Sequence, residues 1–217
     1  MVADIFNEID EELRRDKAQI WWKQYGKYVL AVCVVLVLGA GAYTWYQDQQ
    51  KSEMRALADQ YSAAQQTART GSDADALKAF EDLAAKAGEK GIGLVARFQA
   101  AGLHIEAGDH AAAATAFEAI ASDSAVEQLY RDLADVMAIM HSGIAGGSSN
   151  ELLARIEPLA ADGEPWRYTA RMVGASLALT SGDMALAQDY LTKVADDDGA
   201  PTSARGQAAE ILQAIKS

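Results

Sequence analysis

Residues 96–123 read ARFQAAGLHIEAGDHAAAATAFEAIASD, and residues 170–197 read ARMVGASLALTSGDMALAQDYLTKVADD. The two stretches align without a gap at an offset of 74 residues. Ala96 and Arg97 match Ala170 and Arg171, Leu103 matches Leu177, and Gly108 and Asp109 match Gly182 and Asp183. Ala113 matches Ala187, Phe117 matches Leu191, and Ile120 and Ala121 match Val194 and Ala195. Self-similarity at a fixed period is the signature of a repeat array. An offset near twice 37 places another unit between the copies. Tyr130 and Arg131 open a helix there, and IEPLA at 156–160 echoes FEAIA at 117–121. FEDLA at 80–84 is an earlier copy, and Ala204 with Arg205 begins a closing helix over residues 204–217.

Each unit reads as helix, turn, helix. Gly108 and Gly182 suit a helix end, where a left-handed residue closes the last turn, and Asp109 and Asp183 suit the N-cap of the next helix. Ser72 with Asp73, and Ser148 with Ser149 and Asn150, are expected to start helices in the same way. Phe80, Phe117, Ile156 and Leu191 recur at 37, 39 and 35 residues and are the expected packing anchors of successive units. Ala76, Ala113 and Ala187 each stand four residues earlier, on the anchor's face, where a small side chain permits close helix contact. The run GDHAAAATAF at 108–117, with its copy at 182–191, resembles the tetratricopeptide repeat. The pattern departs from that repeat where Arg97 and Arg171 replace an early aromatic residue and where the closing proline is absent. The resemblance implies an α-solenoid of about four hairpins with an extended binding surface.

Upstream, residues 28–45 read YVLAVCVVLVLGAGAYTW and carry no charge. At about 1.5 Å per residue these positions cover roughly 27 Å, close to a bilayer's hydrocarbon thickness. Trp21, Trp22, Tyr25 and Tyr28 flank one end, and Tyr43, Trp45 and Tyr46 the other. Such rings favour the headgroup region, so all seven are candidate membrane-interface residues. The expected division is a cytoplasmic segment 1–27, a transmembrane helix 28–46 and a repeat domain 47–217. Arg14, Arg15, Lys17, Lys23 and Lys27 precede the apolar run, whereas only Lys51 and Arg55 follow closely, which orients the N-terminus toward the cytoplasm. Cleavage after the small residues Ala40, Gly41 and Ala42 is the alternative. It is disfavoured by the long, acidic and aromatic stretch before the apolar core. Ile5, Phe6, Ile9, Leu13 and Ile20 share one helical face, for docking on a partner or lying at the membrane surface.

Alanine-rich, proline-poor composition favours helix throughout and gives an all-α reading. The net charge is −12, nearly all of it after residue 47, so nucleic acid and anionic lipid are poor partners for the domain. Cys33, the only cysteine, lies in the apolar run and can form no intramolecular disulfide. No HExxH pair, GxSxG elbow, Walker loop or dinucleotide fingerprint occurs, so no catalytic, cofactor-binding or metal-binding residue is assigned and no small-molecule substrate is expected. His104 reads as a packed residue and His110 as an exposed one. Gly146 and Gly147 with Ser148 and Ser149 read as a turn, the run Asp196, Asp197, Asp198 as a solvated loop, and Trp166 as a packing residue.

The whole layout is similar to the ancillary subunit of the SecYEG translocon, the YfgM-type family. The carrying features are the acidic N-terminus, WWKQYGKYVLAVCVVLVLGAGAYTWY, the QDQQKSEMRALADQYSAA helix behind it, and the degenerate repeats. That resemblance implies an inner-membrane anchor, a periplasmic repeat domain, and protein partners in the translocon and among periplasmic chaperones. A structural accessory subunit of another membrane complex, respiratory or envelope, is the alternative.

Overall fold

A computed structural model of the chain describes residues 2–88 and 91–216, with side chains from Ile20 onward except Val29 and Lys216. Among the described residues there is no strand. The order is α1 (Val2–Thr70), α2 (Asp73–Ala87), α3 (Gly91–Glu106), α4 (His110–Ala121), α5 (Gln128–Ile144), α6 (Ser149–Ile156), a single 3-10 turn (Pro158–Ala160), α7 (Arg167–Ser181), α8 (Met184–Ala195) and α9 (Thr202–Lys216). The amphipathic face expected at Ile5, Phe6, Ile9 and Leu13 lies outside the described side chains. The chain divides into two compact units, Met1–Ala56 and Leu57–Ser217.

The second unit is the repeat array. The end of α1 packs on α2 through Leu57, Ala64, Tyr61 and Phe80; α3 pairs with α4, α5 with α6 and α7 with α8, and α9 closes on α8. The two copied turns are built alike, bond for bond. Gly108 (φ +75°) and Gly182 (φ +83°) take the left-handed conformation. Asp109 N donates to His104 O at 2.9 Å and Asp183 N to Ala178 O at 2.8 Å, closing the preceding helix. Each aspartate then caps the following helix. Ala112 N donates to Asp109 Oδ1 at 2.9 Å, and Leu186 N to Asp183 Oδ1 at 3.0 Å. Because only glycine adopts that φ freely, Gly182→Ala is expected to cost about 1 kcal/mol, read as a fall of a few degrees in thermal midpoint.

Two other starts differ from each other. Asp75 N donates to Ser72 Oγ at 3.2 Å, and Ser72 Oγ donates back to Asp75 Oδ2 at 2.7 Å. Ser148, expected to cap in the same way, precedes α6 but makes no side-chain capping bond. There the turn is closed from the preceding helix: Gly146 adopts φ +89°, and Gly147 N donates to Ser142 O at 2.8 Å.

Burial follows the repeat. One cluster joins the end of α1 to α2 and α3 around Leu57, Phe80, Leu83 and Ala96. A second joins α3, α4 and α5 around Ala101, Phe117, Ile120 and Ala134. The third and largest runs through α5, α6, α7, α8 and α9 around Ile139, Ile156, Leu177, Leu191 and Ala208. Phe80, Ala113, Phe117, Ile156, Ala187 and Leu191 are all buried, and all but Ala187 belong to these clusters. Each cluster straddles neighbouring hairpins, as expected when one hairpin cannot cover its own apolar face. The copies also trade volume across one contact. Where the first copy has Ala100 and Ala116, the second has Gly174 and Tyr190, and a Cβ on Gly174 would stand 2.9 Å from the Tyr190 ring.

Candidate functional site

The first unit offers an uncovered apolar surface. Trp21, Trp22, Tyr25, Tyr28, Tyr43, Trp45 and Tyr46 are all exposed on α1, as are the Leu and Val side chains described between them. The stretch Ile20–Thr70 contains a window long and apolar enough to cross a membrane, none of it buried. Its polar groups are satisfied within the helix. Thr44 Oγ1 donates back to Ala40 O at 2.9 Å, which suits a hydroxyl away from water. Beyond the apolar run, Gln47 Nε2 donates to Tyr43 Oη at 2.9 Å and Gln50 Nε2 to Tyr46 Oη at 3.0 Å.

In the second unit the copied arginines explain a departure in the sequence pattern. Arg97 Nη2 donates to Ala119 O at 2.7 Å, in the last turn of α4. Arg171 Nη1 donates to Lys193 O at 3.2 Å, in the last turn of α8 and again 74 residues from its counterpart. Both guanidinium groups satisfy carbonyls that a helix end leaves unpaired, and both complement its negative dipole end. Arg171 is only 3 % exposed. It also donates through Nε to Ala160 O at 2.9 Å and forms an ion pair with the exposed Asp162. Arg97 instead pairs with Asp123 at 2.7 Å. That bond and the Ala125 N–H hold the Asp123 carboxyl below the usual carboxylate range. Asp197, the copy of Asp123, is lowered as well, by the Gly199 N–H and the Tyr168 hydroxyl. The triple-aspartate run is therefore a bonded loop, in which Asp198 pairs with Arg205 at 3.0 Å.

His110 does not stand free as expected. Its Nδ1 lies 3.1 Å from His141 Nδ1, the rings within 7° of parallel, and the Phe117 ring stacks on His141 at 5.9 Å. The partner 31 residues away carried no local sequence signal. His141 is 3 % exposed, and its Nε2 is buried without a partner. Burial, then the neighbouring His110, holds its pKa below the ordinary histidine value. The unfolded chain therefore binds a proton near pH 6.5 that the folded one refuses, and stability falls as pH drops below about 6.5. His141→Phe is expected to flatten this acid-side slope between pH 7 and pH 5 in urea melts. An unchanged slope would assign it to other groups.

Concavities of several kinds open on this unit. A cleft of about 710 Å³ is lined by Ala84, Leu94, Arg97, Asp123, Val126 and Tyr130 among others. A groove of about 370 Å³ lies between α5 and α7, and no ionisable side chain lines it. Sequence reading missed this groove. The signal was present in α7, where Thr169, Met172, Val173, Ser176, Leu177 and Thr180 recur at helical spacing beside the core stripe. Trp166 is half-buried as a packing residue, its Nε1 donating to Leu129 O at 2.8 Å. Among the described residues no three His, Cys, Asp or Glu side chains gather to hold a metal.

A helix suited to crossing a membrane, with an array of helical hairpins built on copied turns, defines a repeat protein of the interaction-module class. A family profile described as a tetratricopeptide repeat-like domain matches residues 19–142, more than half of the chain, and the chain belongs to that family. No curated protein and no solved structure matches it.

Proposed function

We propose that this protein is a membrane-anchored interaction scaffold, an accessory subunit of the protein-export translocon that passes exported proteins to periplasmic chaperones. The observation that carries the reading is the pairing of an uncovered spanning-length helix with a tetratricopeptide-like array in one chain. In this reading residues 28–46 span the bacterial inner membrane and Trp21, Trp22, Tyr25, Tyr28, Tyr43, Trp45 and Tyr46 lie at its two faces. The lysine and arginine bias before the span keeps the N-terminus cytoplasmic and exports the array. The domain's acidity agrees with protein partners rather than nucleic acid or anionic lipid. The layout and N-terminal stretch shared with the YfgM-type family favour the translocon over a respiratory or envelope complex.

Two measurements test this. Reporter fusions after residue 50 and at the C-terminus read topology, with both expected on the exported side. Affinity isolation from gently solubilised membranes should retain translocon subunits and periplasmic chaperones. Co-migration with a respiratory or envelope complex instead would favour the alternative assignment.

A further inference from the structure

We propose that His110 and His141 form an acid-released latch between the second and third hairpins, which holds while a single proton lies between the two rings and parts α4 from α5 when both rings are charged. His110 opens α4, and His141 lies in the last turn of α5. Their Nδ1 atoms are 3.1 Å apart, a hydrogen-bond distance that one proton can bridge and two cannot. With both rings neutral, one Nδ1–H donates to the other Nδ1. With one ring charged, its Nδ1–H donates in the same way and the contact survives. With both charged, two N–H groups and two positive charges face each other with no acceptor between them. Opening would uncover the Phe117 ring, which is buried 5.9 Å from that of His141.

The surroundings do not compensate the second proton. His141 is 3 % exposed, and its Nε2 already lacks a partner. Charging a buried ring in that state is costly, and burial followed by the neighbouring His110 holds its pKa down. His110 stands at the positive end of the α4 dipole, which disfavours a cation there as well. The charged groups on the helices packed against the pair are turned elsewhere. Arg97 on α3 pairs with Asp123, Glu118 on α4 and Asp135 on α5 pair with Arg155 of α6, and Arg171 on α7 pairs with Asp162. Asp109 caps α4, Asp132 and Arg131 bond to Gln128, and Arg167 bonds to Tyr168. His104 and Glu106 on α3 and Glu151 on α6 complete the set. Among the described residues, His110 is the one whose charge bears on His141.

The second copy of the turn lacks the latch. Met184 stands at the place of His110 and Ile215 at that of His141, 74 residues on in each case. The glycine, the aspartate cap and their bonds are otherwise alike, so one copy carries a titratable contact and the other supplies its control. Because the open state takes up a proton that the closed state refuses, opening is favoured as pH falls. For one refused proton with an ordinary pKa of about 6.5 when open, the opening constant rises about 25-fold from pH 7 to pH 5. The latch stands apart from the translocon reading, which decides only the pH that it meets.

Native-state hydrogen exchange of the full-length protein in detergent micelles tests this, with each rate divided by the intrinsic rate at that pH. Protection at Ala113 and Phe117 is expected to fall about 25-fold from pH 7 to pH 5, while their counterparts Ala187 and Leu191 hold to within about twofold. His110→Met together with His141→Ile installs the second copy's residues and should make the α4 amides as indifferent to pH as those of α8. Ring ¹⁵N spectra of the wild-type histidines need no variant: the pair should gain one proton, not two, before α4 loosens. Equal pH responses in α4 and α8, an undiminished response in the folded double variant, or two protons gained with protection intact would each overturn the latch. If the double variant fails to fold at pH 7, the comparison of α4 with α8 and the proton count decide the matter in the wild-type chain.

Discussion

With arginine at both Leu36 and Val37, the chain is expected to leave the membrane fraction. Each substitution replaces a side chain that favours hydrocarbon by one that costs about 3 kcal/mol at a span's centre, so the pair shifts insertion by about 6 kcal/mol. Both residues are exposed, so neither packs against protein and folding of the array should not suffer. Adjacent positions on a helix point about 100° apart, which prevents the two guanidinium groups from sharing one route to the headgroups. Alkaline extraction of membranes measures the outcome. Wild-type chain should stay in the pellet and the variant should move to the supernatant with its helical spectrum intact. A variant still held in the pellet would mean that something other than this helix retains the protein.

The second large effect is expected at Arg171. Truncation to alanine strips partners from Ala160 O and Lys193 O around a side chain that is 3 % exposed, and it opens a void beside them. Two orphaned acceptors together with lost packing amount to about 4 kcal/mol. Asp162 adds little, since it is exposed and stays hydrated when its partner goes. The same change at Arg97 serves as the control. Its side chain is 27 % exposed, and water can replace what Ala119 O loses, so about 1 kcal/mol is expected. Urea titration of both variants measures the contrast. Equal losses would show that the two copies share the bond pattern without the difference in burial.

That pair shows what a sequence can and cannot disclose. The hairpins were legible because their determinants are local. Gly182 must supply the left-handed turn, Asp183 must cap four residues before Ala187, and a helical face must carry Ala187 and Leu191 together. The helix long and apolar enough to cross a membrane was legible for the same reason, since an uninterrupted uncharged run needs no tertiary partner to be recognised. Arg97 and Arg171 looked like misfits at an aromatic position, because the carbonyls they satisfy lie 22 residues downstream and depend on how the hairpin closes. His110 looked exposed because its partner comes from the next hairpin. The α5–α7 groove was hidden differently. Ser176 and Thr180 lie on an exposed face of α7, and only the approach of Met140 and Ile144 makes that face one side of a furrow.

The uneven division of the core also bears on how the array opens. The clusters around Phe80 and Phe117 each involve three helices, whereas the one around Ile139 and Leu191 ties α5 through α9 into one block. Fraying should therefore begin in the first hairpins and stop at α5, since breaching that block exposes the largest share of apolar surface at once. Both walls of the α5–α7 groove belong to the block. The groove would thus persist through partial opening of the array, while the hairpins before it come apart.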